Sequence, residues 1–171
     1  MDDHAAIARQ IGRAPRAFRR VAARCPHGAP AVTEQEPYDA EGTPFPTTYY
    51  LTCEALVAAV SRIEAAGGVE RWSERLAVDA ELRADHDRAT AEQREVRRAI
   101  AVPGPRRDGG DSLGTGIGGS RNPGQLKCLH AHVAYALAHP GYRLGEAVLA
   151  EVAAGGRAWP DHCCLEEASA S

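Results

Sequence analysis

No run of the 171-residue chain approaches the roughly 20 consecutive apolar residues that a helix needs to cross a bilayer. No helical membrane span is expected. The opening MDDHAAIARQ carries acids where a secretory signal carries basic residues followed by an apolar run, so the expected location is the cytoplasm. Bulky apolar side chains are scarce, with two Phe and one Met. A core built instead from Ala and other small residues buries little area per contact, so its helices must approach closely. Neither sign of charge dominates: the net charge is −3 and the pI about 6.2, which leaves no strong signal for nucleic acid. A nucleophile elbow and paired carboxylates, frequent marks of hydrolytic chemistry, are missing too.

What the chain does have is five cysteines, an odd number that cannot pair completely, at positions 25, 53, 128, 163 and 164. In a reducing compartment they point to metal, catalysis or burial before disulfides. Helical periodicity and end signals predict helices over 4–11, 56–66, 69–76, 79–100, 125–138 and 144–154. Extended segments are expected at 18–25, 31–36 and 49–51. The fold class is therefore α+β and mostly α, a small β-hairpin or short sheet with about five or six helices. One domain is expected over 1–171, with a flexible Gly/Pro-rich loop at about 103–124 and a Cys-containing tail at 155–171.

Each cysteine falls where the backbone changes direction. Cys25 begins CPHGAP in a hairpin turn, where a thiolate can meet free amides as in a zinc knuckle, or simply fill an apolar turn. Cys53 falls at or next to a helix N-cap, a position that suits a metal ligand or a nucleophile. In a helix over 125–138, Cys128 and His132 share a face; an irregular first turn would pair Cys128 with His130 instead. Cys163 and Cys164 lie in the tail. The candidate metal ligands are Cys25, Cys53, Cys128, Cys163, His130 and His132, holding Zn2+ or, alternatively, an iron–sulfur cluster. The polar 79–100 helix, with His86 on its less polar side, is expected to lie across the surface or to meet a partner chain.

Residues 114–119 read GTGIGG and fit G-x-G-x-x-G, but no strand precedes the motif and no helix opens inside it. A milder reading makes Gly116, Gly118 and Gly119, with Arg121 and Lys127, an anion cradle. Two functions follow. One is a metal-stabilised binding module for a protein or small anionic ligand. The other is an enzyme in which Cys53 or a metal-bound water reacts and His130 or His132 serves as acid/base.

Arg24-Cys25-Pro26, the run from Gly42 to Thr47, Tyr50-Leu51-Thr52-Cys53 and Lys127-Cys128-Leu129-His130 together resemble the family catalogued as domain of unknown function 501, typical of actinobacteria. The likeness extends from Ile11-Gly12-Arg13 to the last helix. It implies a lineage and an intracellular location, and it carries over no site residues.

Overall fold

The computed structural model describes residues 2–122 and 124–156, together with Trp159, Asp161, Cys163 and Leu165. The elements run α1 (Asp3–Ile11), β1 (Phe18–Arg24), β2 (Pro30–Gln35), β3 (Tyr49–Leu51), α2 (Glu54–Ala65), α3 (Gly68–Val78), α4 (Ala80–Ile100), α5 (Leu129–Ala138) and α6 (Arg143–Ala154). Two 3-10 turns, Asp111–Gly114 and Ile117–Gly119, lie between α4 and α5. The fold is α+β and mostly α, with six helices among the described residues around a three-stranded antiparallel sheet ordered β1-β2-β3.

Local chemistry sets most of the boundaries. Gly12 closes α1 in the left-handed conformation that only glycine adopts cheaply (φ 69°). Asp79 caps α4 through its carboxylate, which accepts the Leu82 N–H at 2.9 Å. Cys25 N–H donates to the Ala29 carbonyl and Gly28 N–H to the Cys25 carbonyl, closing the hairpin between β1 and β2. The central strand β2 is buried along its whole length. Gln10 of α1 ties into it through Nε2 to the Pro30 carbonyl (2.8 Å), and α5 packs on β3.

Helix α5 is the hub of the core. Leu129, Val133 and Ala134 are completely buried in it, and Leu144 and Val148 of α6 are completely buried beside them. Each large member of that set contributes roughly 1.5–3 kcal/mol by leaving water. The close approach expected of a small-residue core occurs at Gly145, where any side chain would overlap the His132 carbonyl and the Ala136 methyl.

Polar side chains also enter the interior. The buried face of α4 is Leu82, His86, Ala89, Thr90, Gln93 and Arg97, so His86 is an interior residue, while the opposite side of the helix is exposed. Arg97 is wholly buried. Its guanidinium donates to the carbonyls of Ser112 (3.0 Å), Pro46 (3.2 Å) and Phe45 (3.1 Å) and to the Thr48 hydroxyl (3.0 Å). One side chain thereby fastens the proline-rich 44–48 segment to the glycine-rich one. The Asp108 carboxylate anchors the same region, accepting from the Tyr38 hydroxyl and the amides of Gly110 and Ser112. Desolvation works against its charge, but those donors hold it well below the usual carboxylate range.

A second buried network joins α4, α5 and α6. The Tyr142 hydroxyl meets Nδ1 of His86 at 2.9 Å and Nδ1 of His132 at 2.8 Å. One imidazole donates to the phenol oxygen while the phenol donates to the other. Burial, reinforced by the neighbouring His86, pushes His132 down to about 3.

Candidate functional site

The first turn expected for α5 at residues 125–128 does not form. Those residues run in a non-helical path: Leu126 N–H reaches Ser73 Oγ (3.4 Å), and Cys128 is fully extended (φ −157°, ψ 149°). The reason is a cap supplied from another helix. Glu64, near the end of α2, accepts the Leu129 N–H and also holds His130 Nδ1 at 3.1 Å. Helix α5 therefore starts at Leu129, with Cys128 as its N-cap. The shift decides which histidine accompanies the thiol. Cys128 and His130 share a cleft, whereas His132 turns into the core against Tyr142.

That cleft has a volume of about 480 Å3, within the range of small-molecule sites. Residues 49–52 of β3 and the segment after it form one wall, Glu54, Val57 and Ser61 of α2 another, and Cys128, His130 and Ala131 a third. Gln10 and Ile11 of α1 overhang it. The His130 ring is held by three contacts, with Glu64 at Nδ1 and both the Val57 carbonyl and the Ser61 hydroxyl at 3.2 Å from Nε2. Burial pushes the Cys128 thiol above its ordinary range, and the backbone amides of Ala131 and His130 offset part of that rise. At rest the sulfur is a thiol rather than a thiolate.

The other cysteines sit elsewhere. Cys53 is the N-cap of α2, as expected, but only 1% of it is exposed. Its N–H reaches the Ala31 carbonyl (3.4 Å), while Cys25 N–H reaches that of Ala29 (2.9 Å), so two cysteines 28 positions apart attach to neighbouring positions of one chain segment. Both belong to the central apolar cluster, against which Cys128 and Cys163 also pack. No disulfide joins these four cysteines. Among the described residues, no three His, Cys, Asp or Glu side chains form a group that could hold an ion. Cys164 lies outside the described residues.

The glycine-rich turn spends its amides internally. Gly116 N–H donates to the Ser120 carbonyl (2.7 Å) and Gly119 N–H to that of Gly116 (3.0 Å). Gly118, whose φ of 68° only glycine adopts readily, lies over Ala131 and Cys128. Lys127 Nζ donates to the Gly119 carbonyl (3.0 Å), and Arg121 pairs with Asp111 (3.4 Å). The five residues read as an anion cradle thus have protein partners or contacts. Sequence reasoning missed Glu64, Ser61 and Val57, whose role depends on a helix packed 65 or more positions away.

A six-helix α+β fold with a thiol and an imidazole at the mouth of a helix-capped cleft is the class this geometry defines. The chain belongs to the family described as protein of unknown function (DUF501), whose model matches residues 21–150. No curated protein and no solved structure matches it. No helix among the described residues is long and apolar enough to cross a membrane.

Proposed function

We propose that the protein is a binding module whose ligand occupies the cleft at the start of α5. The observation that carries this reading is the convergence of Cys128, His130, Ser61, Thr52 and Glu54, with Gln10 and Thr47, on one open cavity of about 480 Å3 whose remaining wall is apolar or aromatic. A few polar groups on an apolar surface orient a ligand, and the apolar part supplies affinity. A neutral resting thiol favours binding over nucleophilic attack, since the thiolate is the reactive form. Should chemistry follow binding, Cys128 is the thiol within reach of the ligand and His130, held by Glu64, the acid/base. Fragment screening by NMR tests the reading, with Ser61→Trp as the control. Ser61 is exposed, so the indole fills the cleft without entering the core. Fragments that shift Thr52, Val57 and His130 in the native chain and not in the variant support the module; unchanged binding in Ser61→Trp removes the cleft from it.

A second, structural element of the proposal is a zinc ion, or alternatively an iron–sulfur cluster, with Cys25 and Cys53 among its ligands. What favours it is that the backbone N–H groups of Cys25 and Cys53 bond to the carbonyls of Ala29 and Ala31, two positions apart, which brings the two residues to one short stretch of chain. Such an ion would add binding free energy to folding. Elemental analysis and visible absorbance of anaerobically purified protein decide the matter. Metal that persists in Cys128→Ser and is lost in Cys25→Ser or Cys53→Ser supports this ligand set, and metal-free protein overturns it.

A further inference from the structure

We propose that the ligand of this cleft is an extended peptide, which adds to the unpaired edge of β3 as a fourth strand and presents an acidic side chain toward Arg13 and Arg16; this rests on the reading of the cleft as the binding site. The ladder register carries the inference. Gln35 N–H donates to the Thr48 carbonyl (2.8 Å) and Thr52 N–H to the Ala31 carbonyl (2.9 Å), with Thr33 opposite Tyr50 between them. In an antiparallel pair, bonded positions alternate with unbonded ones. Thr48, Tyr50 and Thr52 therefore direct their peptide groups at β2, and Tyr49 and Leu51 direct theirs away from it.

Strand β3 is the edge of the sheet, and every residue from Tyr49 to Thr52 lines the cleft. The outward N–H and C=O groups of Tyr49 and Leu51 have no hydrogen-bond partner among the described residues. They are not ordinary solvated groups either, because Tyr49 is 2% and Leu51 5% exposed, and what opens beside them is the cleft. Backbone donors and acceptors in such a place call for partners. Two N–H and two C=O groups alternating at strand spacing match another main chain, which is how peptides add to sheet edges.

The opposite edge of the sheet makes the contrast. Strand β1 carries Arg19, Arg20 and Arg24 and three register irregularities against β2, the devices that keep an edge from pairing. Strand β3 carries no charge and pairs with β2 in regular register. The charge of the partner follows from Arg13 and Arg16. Both are exposed, have no ion pair among the described residues, and border a shallow depression that shares Ile11, Tyr50 and Thr52 with the cleft.

The test selects heptapeptides from a displayed random library on the full chain, then walks single backbone N-methyl groups through the best binder. Methylation at alternate positions should weaken binding about tenfold or more, with little effect between, because each lost main-chain bond approaches the 1.4 kcal/mol that corresponds to a factor of ten. On binding, the Tyr49 and Leu51 amides should gain protection from hydrogen exchange while that of Tyr50 stays as it was. Acidic peptides should bind Arg13→Glu and Arg16→Glu less well. A library that yields no binder, or a binder indifferent to N-methylation at every position, overturns the peptide inference. If small fragments still occupy the cleft in that case, the binding module stands without it; if Ser61→Trp abolishes neither, both fall.

Discussion

His130 and His132 are two residues apart on one helix and occupy different media. The first, a quarter exposed in its side chain, faces the cleft and bonds to groups of α2. The second is 1% exposed and meets the phenol of Tyr142 in the core. Helical geometry explains the divergence, since positions two apart point to nearly opposite sides. The difference teaches where to look for function. Interior polar groups such as His132, His86 and Arg97 are occupied in holding helices and loops together, whereas the groups at the helix start face space that protein does not fill.

The comparison breaks if an interior residue can be removed cheaply or a cleft residue cannot. Arg97→Met should cost the most, about 3–5 kcal/mol, because three carbonyls and a hydroxyl lose their buried donor together. Urea denaturation measures it, and a loss below about 1 kcal/mol would contradict the assigned hub role. Tyr142→Phe comes next at roughly 2–3 kcal/mol, since two buried imidazoles lose a shared partner.

Acid should probe the same network. His132 is lowered from 6.5 to about 3, so the unfolded chain takes up a proton that the folded chain refuses across that interval. Above pH 6.5 both states are neutral and the group contributes nothing to the pH dependence. Stability should therefore fall by up to about 1.4 kcal/mol per pH unit as pH drops from 6.5 toward 3, and His132→Leu should flatten that slope. Melting temperatures across the range check it; identical slopes would remove His132 as the cause. Cys128→Ser should matter least to folding, within about 1 kcal/mol, because serine is itself a good N-cap. In the native chain, alkylation of Cys128 should gather speed only toward alkaline pH, as its raised thiol demands, and mass spectrometry resolves which cysteine is modified.

Much of the fold was legible from local rules. The hairpin turn at Cys25, the cap at Cys53 and six helices follow from turn residues, caps and periodicity. The site was less legible because its decisive contact is distant. Nothing near Gln125 announces that a carboxylate from Glu64 will cap Leu129, so 125–128 read as a first turn that set Cys128 with His132, and the pairing with His130 stood only as the alternative for an irregular turn. Arg97 escaped for a related reason. A charged residue on a polar helix reads as solvated until a loop of carbonyls folds over it. Of the metal ligands named from sequence, Cys128 and His130 lie at the cleft, Cys25 and Cys53 bond beside Ala29 and Ala31, and His132 is in the core against Tyr142.

Of the 20 basic side chains in the chain, 19 are arginines and Lys127 alone is a lysine. It sits one position before the cleft thiol, with its ammonium resting on the Gly119 carbonyl. Acylating reagents therefore find a single side-chain amine on the whole molecule. A fluorophore attached there would sit beside the mouth of the cleft, and any enzyme that tags lysines would have one address to write on.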